Sequence, residues 1–118
     1  MNYRNILLIL VTISFVQIGL SQKTYVPDDN FEQTLIDLGY DDALDDSVLT
    51  ATISEVSSLY LENKNISDLT GIEDFSNLSY LRVYSNGLAS IDLSSNPSLS
   101  YLNLYNNCLL YTSDAADE

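Results

Sequence analysis

The sequence predicts an α/β-type repeat solenoid that begins with a short N-terminal helical cap. Two observations support this prediction. A set of apolar anchor positions recurs every 21–22 residues in the second half of the chain, and a helical pattern of apolar residues precedes it. Self-similarity at such a period is typical of repeat architectures, in which each unit buries its apolar side against the next unit.

The two clearest repeats cover residues 78–86 (LSYLRVYSN) and 99–107 (LSYLNLYNN), offset by 21 positions. A less regular copy covers residues 56–64 (VSSLYLENK), 22 positions earlier. This is the leucine-rich repeat pattern. Alternating apolar and polar residues within each copy predict strands with one buried side, which stack in parallel about 4.8 Å apart. We assign residues 54–107 to an incomplete array of leucine-rich repeats.

Asparagines stand where the repeats must turn. Asn86 and Asn107 end the two clear copies, and Asn96 ends a half-period copy over residues 88–96. A buried Asn side chain can hydrogen-bond backbone groups that a turn leaves unpaired. We therefore predict that these three residues form a structural turn ladder. The half-period copy also predicts a second strand-like side in that repeat.

Residues 22–53 are predicted to form the N-terminal cap. The run from Pro27 to Asn30 offers helix-start chemistry, and Phe31, Leu35 and Leu38 share one helix face before Gly39. We expect a short helix over residues 29–38. A substrate-binding module is the alternative, but an open array end needs a cover for its core leucines, which favours a cap.

The first 21 residues resemble a secretory signal peptide. A polar start with Arg4 precedes an apolar run and then a cleavage site with small residues. We expect cleavage after Ser21. A membrane anchor is the alternative, but the apolar run is shorter than the ~20 residues needed to span a bilayer. We expect a secreted or cell-surface protein without stable membrane insertion after cleavage.

The last residues, 108–118 (CLLYTSDAADE), resemble the translation of a transposon-type sequencing adapter. The adapter's preceding base would complete the codon of Asn107. We interpret this segment as a non-native tail, with a genuine acidic C-terminus as the alternative. Uninterrupted native coding for the tail in the source DNA would contradict this interpretation.

Composition excludes several functions. The chain has 17 acidic and 4 basic residues and a net charge of −13, which disfavours nucleic acid and anionic membranes as partners. It has no His, so a serine-type triad or a His-ligated metal site cannot form. The acidic run over residues 41–46 could suggest calcium, but it lacks EF-hand spacing and is interpreted as a solvated loop. We predict no cofactor and no metal.

The sequence resembles secreted or cell-surface leucine-rich repeat proteins of bacteria. The stretches YVPDDNFEQ (25–33), LIDLGY (35–40) and NISDLTGIEDF (65–75) carry the resemblance, which covers about residues 22–107. It implies an elongated solenoid with further repeats and domains downstream, acting in adhesion or recognition. That implication is an analogy, because a fold alone does not fix a function.

The outward positions of the predicted strands form the candidate binding face. Tyrosine predominates among them, and it supplies apolar area and a hydroxyl at low entropic cost. The alternative is that tyrosine is simply a good strand residue whose cross-strand pairs stabilise the sheet. The candidate residues are Tyr60, Tyr80, Arg82, Tyr84, Tyr101, Asn103 and Tyr105.

These observations predict an extracellular binding or adhesion scaffold that recognises a protein or a glycan. The alternatives are a structural spacer or stalk, and a non-catalytic appendage of a larger secreted enzyme. We expect no enzymatic activity, because the acidic residues are not focused on any predicted cleft.

Overall fold

The structure of the chain is a computed structural model that describes residues 22–110. The predicted signal peptide (1–21) and residues 111–118 of the predicted non-native tail lie outside the described residues. Among the described residues, no helix is long and apolar enough to cross a membrane.

The N-terminal part pairs a two-stranded sheet with two helices. Strand β1 (Lys23–Tyr25) pairs antiparallel with β2 (Ser47–Leu49), and helices α1 (Asp29–Asp37) and α2 (Thr50–Ile53) complete this part. Helix α1 ends one residue before the expected boundary, because Leu38 is its C-cap. Gly39 follows at φ +88 and donates its N–H to the Ile36 carbonyl, a left-handed conformation that glycine adopts without strain.

Asp28 fixes the start of α1 and also ties it to the first repeat. One carboxylate oxygen accepts the N–H groups of Asn30 (2.9 Å) and Phe31 (3.0 Å), as an N-cap does. The other oxygen accepts the N–H groups of Ser67 (2.9 Å) and Asp68 (3.0 Å). Partial burial acts to raise the pKa of Asp28, but the hydrogen bonds from these backbone N–H groups outweigh it and lower the pKa.

The repeats form a parallel three-stranded sheet in the order β3 (Ser58–Tyr60), β4 (Tyr80–Arg82) and β5 (Tyr101–Asn103). Leu59, Leu81 and Leu102 occupy the same position in successive strands. A 3-10 helix (Ile72–Asp74) lies between β3 and β4, where apolar residues recur every three positions. Such spacing matches the three residues per turn of a 3-10 helix.

The prediction of a second strand-like side, which was based on the half-period copy, is wrong. Residues 88–95 contain turns and no strand. The equivalent side of the preceding repeat is occupied by the 3-10 helix Ile72–Asp74, which offers no strand edge for pairing. The apolar residues Ile91 and Leu93 still pack against the core, although this segment does not form a strand.

One apolar core runs from the N-terminal part through the repeats. Phe31 of α1 and Phe75 are both fully buried, and their rings stack with centroids 6.2 Å apart. Leu102, the β5 equivalent of buried Leu81, is 39% exposed. The repeat packing continues past Asn107, since Leu109 packs against the core, in register with Leu88.

Gly71 permits a close approach between the N-terminal part and the repeats. Its φ is +109, and a Cβ there would lie 2.8 Å from Val26 Cγ2 and 2.9 Å from the Tyr25 carbonyl oxygen. Beside this contact, the buried hydroxyl of Thr24 donates to Asp74 Oδ2 at 2.7 Å. A glycine is required here for both space and conformation.

Candidate binding face

The outward side of the parallel sheet brings the predicted face residues into three columns. The register pairs Ser58 with Tyr80 and Tyr101, and pairs Tyr60 with Arg82 and Asn103. Just beyond the strands, the backbone pairing continues, with the N–H of Asn63 donating to the Tyr84 carbonyl and that of Ser85 to the Tyr105 carbonyl. Five of the seven predicted residues therefore lie in the strands, and Tyr84 and Tyr105 follow shortly after β4 and β5. We call these seven residues the tyrosine face.

The tyrosine rings of this face pack on one another. Tyr80 and Tyr101 stack with centroids 4.2 Å apart and planes at 6°, and Tyr60 lies against Tyr80 at 5.7 Å with planes at 53°. The ring faces between Tyr80 and Tyr101 are covered by one another, so this pair presents ring edges and hydroxyl groups outward. Aromatic contacts of this kind stabilise a sheet beyond the area they bury.

Arg82 is held rigidly in the middle of the tyrosine face. Its guanidinium carbon lies 5.1 Å from the centroid of Tyr60 and 5.6 Å from that of Tyr84. Its Nη2 donates to Glu62 Oε1 at 2.8 Å and to the Tyr84 hydroxyl at 3.3 Å. The hydrogen bond to Tyr84 and the attraction of Glu62 raise the pKa of Arg82 against the opposing effect of burial. Arg82 is thus a fixed cation paired with one carboxylate.

Exposure differs along the face. Tyr60 and Tyr101 are 44% and 42% exposed, and Tyr105 is 77% exposed, whereas Tyr80, Arg82 and Tyr84 are half-buried. Glu62, which borders the tyrosine face, neutralises Arg82, so the face and this neighbour together carry no net charge in a chain that is otherwise strongly acidic. A ligand can approach the face without desolvating an unpaired charge.

Asparagine side chains lie between successive repeats at one turn. Asn86 Oδ1 accepts the N–H groups of Lys64 and Ile66 at 3.0 Å each, and its Nδ2 donates to the Leu61 carbonyl at 2.7 Å. Asn107 repeats this arrangement one repeat later, accepting from the Leu88 N–H at 3.1 Å. Each side chain therefore replaces hydrogen bonds that the turning backbone cannot make for itself.

Asn96 occupies a different place. It is buried, and its Nδ2 donates to the carbonyls of Ile72 (2.9 Å) and Phe75 (3.2 Å), which belong to the 3-10 turn of the preceding repeat. Its Oδ1 has no hydrogen-bond partner among the described residues. The three predicted ladder residues are thus placed in two separate rows, one at the end of the strands and one beside the 3-10 helix.

The acidic loop over residues 41–46 is organised by a carboxylate that the sequence interpretation missed. Glu32 of α1 is fully buried and accepts the N–H groups of Asp45, Asp46 and Ser47 at 3.0–3.3 Å. Burial raises the pKa of Glu32, while those hydrogen bonds act to lower it. Carboxylate oxygens of Glu32, Asp41 and Asp45 lie within 4.8 Å of one another. Because Glu32 already holds backbone N–H groups, its role here is to close the loop.

Two further features were only partly predictable from the sequence. Asp28 precedes the helix as an N-cap candidate, and its bonds to the first repeat required the tertiary structure. Equivalent residues at the ends of the three strand segments adopt the left-handed conformation: Asn63, Ser85 and Asn106, with φ of 58, 59 and 59. Asn tolerates this conformation better than most residues do, so two of these three positions carried a readable turn signal.

No protein-family model matches the chain, and no curated protein matches it. Solved structures do resemble it. An internalin (inlF) from Listeria monocytogenes aligns with a TM-score of 0.64 and 23% identity, over 70% of this chain and 25% of that chain. Internalin C2 from Listeria monocytogenes aligns with a TM-score of 0.68 and 21% identity, over 81% of this chain and 44% of that one.

A third similar structure comprises the CBM51-2 and INT domains of ZmpB from Clostridium perfringens. It aligns with a TM-score of 0.61 and 21% identity, over 70% of this chain and 17% of that chain. This chain therefore spans less than half the length of each of the three chains. Identities below 25% show the fold alone. On the register of the sheet and these likenesses, the chain has a leucine-rich repeat fold of the kind found in bacterial internalins.

Proposed function

We propose that this protein is an extracellular binding or adhesion module that recognises a protein or a glycan through the tyrosine face. The observation that supports the proposal most is the row of partly exposed tyrosines on one side of β3, β4 and β5, around a neutral Arg82–Glu62 pair. Tyrosine and arginine are enriched where proteins bind partners most strongly. Their packing holds the surface in one conformation before a ligand arrives, which lowers the entropic cost of binding.

In this proposal the chain is a repeat solenoid. Residues 22–53 form its cap, with α1 covering the first repeat, and residues 54–107 contribute repeats. Secretion follows cleavage after Ser21. No catalytic role is assigned to the described residues. The likeness to internalins supports the repeat fold on which this proposal rests.

The second candidate is a structural spacer or a non-catalytic appendage. The mutual packing of Tyr60, Tyr80 and Tyr101 favours it, because stacked rings stabilise the sheet whether or not a ligand binds. The ZmpB chain, in which CBM51-2 and INT domains occur together, offers a precedent for such a region beside other domains.

A panel of purified extracellular proteins and immobilised glycans, probed with the chain and two variants, tests the proposal. Tyr84→Ser/Tyr105→Ser removes two tyrosines from the face. Tyr25→Ser is the matched control, because Tyr25 is 63% exposed on β1 and away from the face. The proposal expects a ligand that retains the wild type and the control but not the double variant. Intact binding of a destabilised double variant would instead support the spacer.

A further inference from the structure

We propose that Tyr80 and Tyr101 are the site of an oxidative dityrosine cross-link that joins two successive repeats. The bond would form between ring carbons next to the phenol oxygens, with hydrogen peroxide, activated by a haem peroxidase, as the oxidant. This inference does not depend on the proposed binding function, since it concerns the covalent chemistry of the two rings.

The ring geometry supports this pairing. Tyr80 and Tyr101 are register partners in adjacent parallel strands, so their side chains leave the backbone at equivalent positions. Their planes lie at 6° with centroids 4.2 Å apart. Parallel rings that start from equivalent positions place their phenol ends side by side. The ring carbons that couple in a dityrosine therefore start near one another, and the two rings turn about their side-chain bonds as the new bond comes to lie in both ring planes.

The neighbouring tyrosines are less suited to coupling. Tyr60 and Tyr80 have planes at 53° and centroids 5.7 Å apart. The Arg82 guanidinium also lies over the rings of Tyr60 and Tyr84. A fixed cation against a ring opposes removal of an electron from it, because the developing positive charge is repelled. Arg82 thus disfavours oxidation of Tyr60 and Tyr84. It also interacts with the side chain of Tyr80, so the first electron is expected to leave from Tyr101.

The stack is accessible to an oxidant. Tyr101 is 42% exposed and Tyr80 is half-buried, so an electron can leave at the surface. Tyr105, which is 77% exposed, also offers a phenol, but no aromatic ring of the described residues stacks on it. A radical on Tyr105 would need another molecule as its partner. At low protein concentration, coupling within the stack is faster than that bimolecular step.

Each tyrosine loses one electron and its phenolic proton to give a phenoxyl radical, and the two radicals form one carbon–carbon bond. The two ring hydrogens at that bond then move to the oxygens and restore both phenols. Hydrogen peroxide takes up the two electrons and two protons and becomes two molecules of water. The protein loses two hydrogen atoms in total.

The cross-link would change the stability of the repeat array. It closes a loop between β4 and β5, which restricts the unfolded chain and raises the melting temperature. It would also hold β5 in place, the strand whose inward Leu102 is 39% exposed. Oxidation would thus act as a covalent staple across the sheet.

Peroxidase treatment of the dilute folded chain, followed by trypsin and mass spectrometry, tests the proposal. Cleavage at Lys64 and Arg82 places Tyr80 in the fragment 65–82 and Tyr101 in the fragment beginning at residue 83. We expect these two fragments to be joined, two hydrogens lighter than their sum. Tyr80→Phe and Tyr101→Phe keep the aromatic stack but lack one phenol, so both should lose the cross-link.

Tyr84→Phe is the control, because Tyr84 lies in the same tryptic fragment as Tyr101 and this variant should cross-link as the wild type does. Unfolding in urea before oxidation should lower the yield several-fold, since the stack is then lost. Three results would overturn the proposal: a Tyr101→Phe variant that still joins the two fragments at the wild-type yield, a cross-link found only between two molecules, or oxidation of Tyr105 without any joined fragments.

Discussion

Replacement of Asp28 by Ala tests how the N-terminal part is attached to the repeats. The side chain accepts five hydrogen bonds, from Asn30 N, Phe31 N, Ser67 N, Ser67 Oγ and Asp68 N. Loss of an N-cap costs about 0.5–2 kcal/mol. Loss of the exposed hydrogen bonds from the Ser67 and Asp68 N–H groups costs about 1 kcal/mol for each group. We expect the free energy of unfolding to fall by about 2.5–4 kcal/mol in total.

Urea unfolding followed by circular dichroism measures this change, with Asp29→Ala as the matched control. Asp29 is an exposed carboxylate in the first turn of the same helix, so its loss removes a favourable interaction with the helix dipole, about 0.3–1 kcal/mol. The loss also relieves repulsion from the Glu32 and Asp46 carboxylates, which lie within 4.8 Å, so the net change should be small. Equal midpoints for Asp28→Ala and Asp29→Ala would refute the claim that Asp28 joins helix and repeat.

The same residue predicts a pH dependence. The folded-state pKa of Asp28 lies below its ordinary value of 3.8, so its contribution is present above that pH and is lost as the pH falls through the lowered pKa. Asp28→Asn keeps a capping oxygen but cannot titrate. We therefore expect the stability difference between wild type and Asp28→Asn to shrink as the pH falls below 3.8. A constant difference across that range would show that the Asp28 charge is not involved.

Three further changes test separate features of the structure. Gly71→Ala forces a Cβ to 2.8 Å from Val26 Cγ2 at φ +109 and should destabilise the chain by about 2–4 kcal/mol, whereas Gly87→Ala, with 3.7 Å of space, should be close to neutral in the same thermal melt. Asn86→Ala leaves the N–H groups of Lys64 and Ile66 without their acceptor and should cost about 2–4 kcal/mol in urea unfolding; a loss no larger than that of exposed Asn77→Ala would count against the turn ladder. The purified chain should self-associate at high concentration, because Leu102 is 39% exposed and residues 93–113 around it include no charged residue. A soluble monomer with a sharp cooperative melt would contradict this prediction.

The apolar anchor positions of the repeats could be predicted because they follow a local pattern, the alternation of apolar and polar residues. Alternation around Leu81 and Leu102 indicates a strand with one buried side, and the offset of 21 residues between the copies predicts how the strands pair. The leucine-rich repeat prediction is confirmed at the level of the fold. The helix before the repeats was predictable for the same reason, since Phe31 and Leu35 mark its buried side within two turns.

The remaining features depend on contacts between distant segments. Asp28 accepts a hydrogen bond from Ser67, 39 residues away. Arg82 donates to Glu62 because the strand register places the Arg82 side chain between Tyr60 and Tyr84. The segment 88–95 has strand-like anchors but no strand, because its neighbour is a 3-10 helix. A periodic sequence pattern indicates which residues are buried. It does not indicate the secondary structure of the neighbouring segment, on which strand pairing depends.

The most direct test of the account is the affinity of the Tyr105→Ser variant for whichever ligand the panel identifies. Tyr105 is 77% exposed, and its side chain makes no aromatic contact with another described residue, so its loss should leave the melting temperature unchanged. If the tyrosine face binds the ligand, Tyr105→Ser should raise the Kd about tenfold, as loss of a strong interface residue does. Tyr25→Ser should leave it at the wild-type value. Equal affinities for the two variants and the wild type would contradict the central claim that the outward side of the parallel sheet is the binding surface.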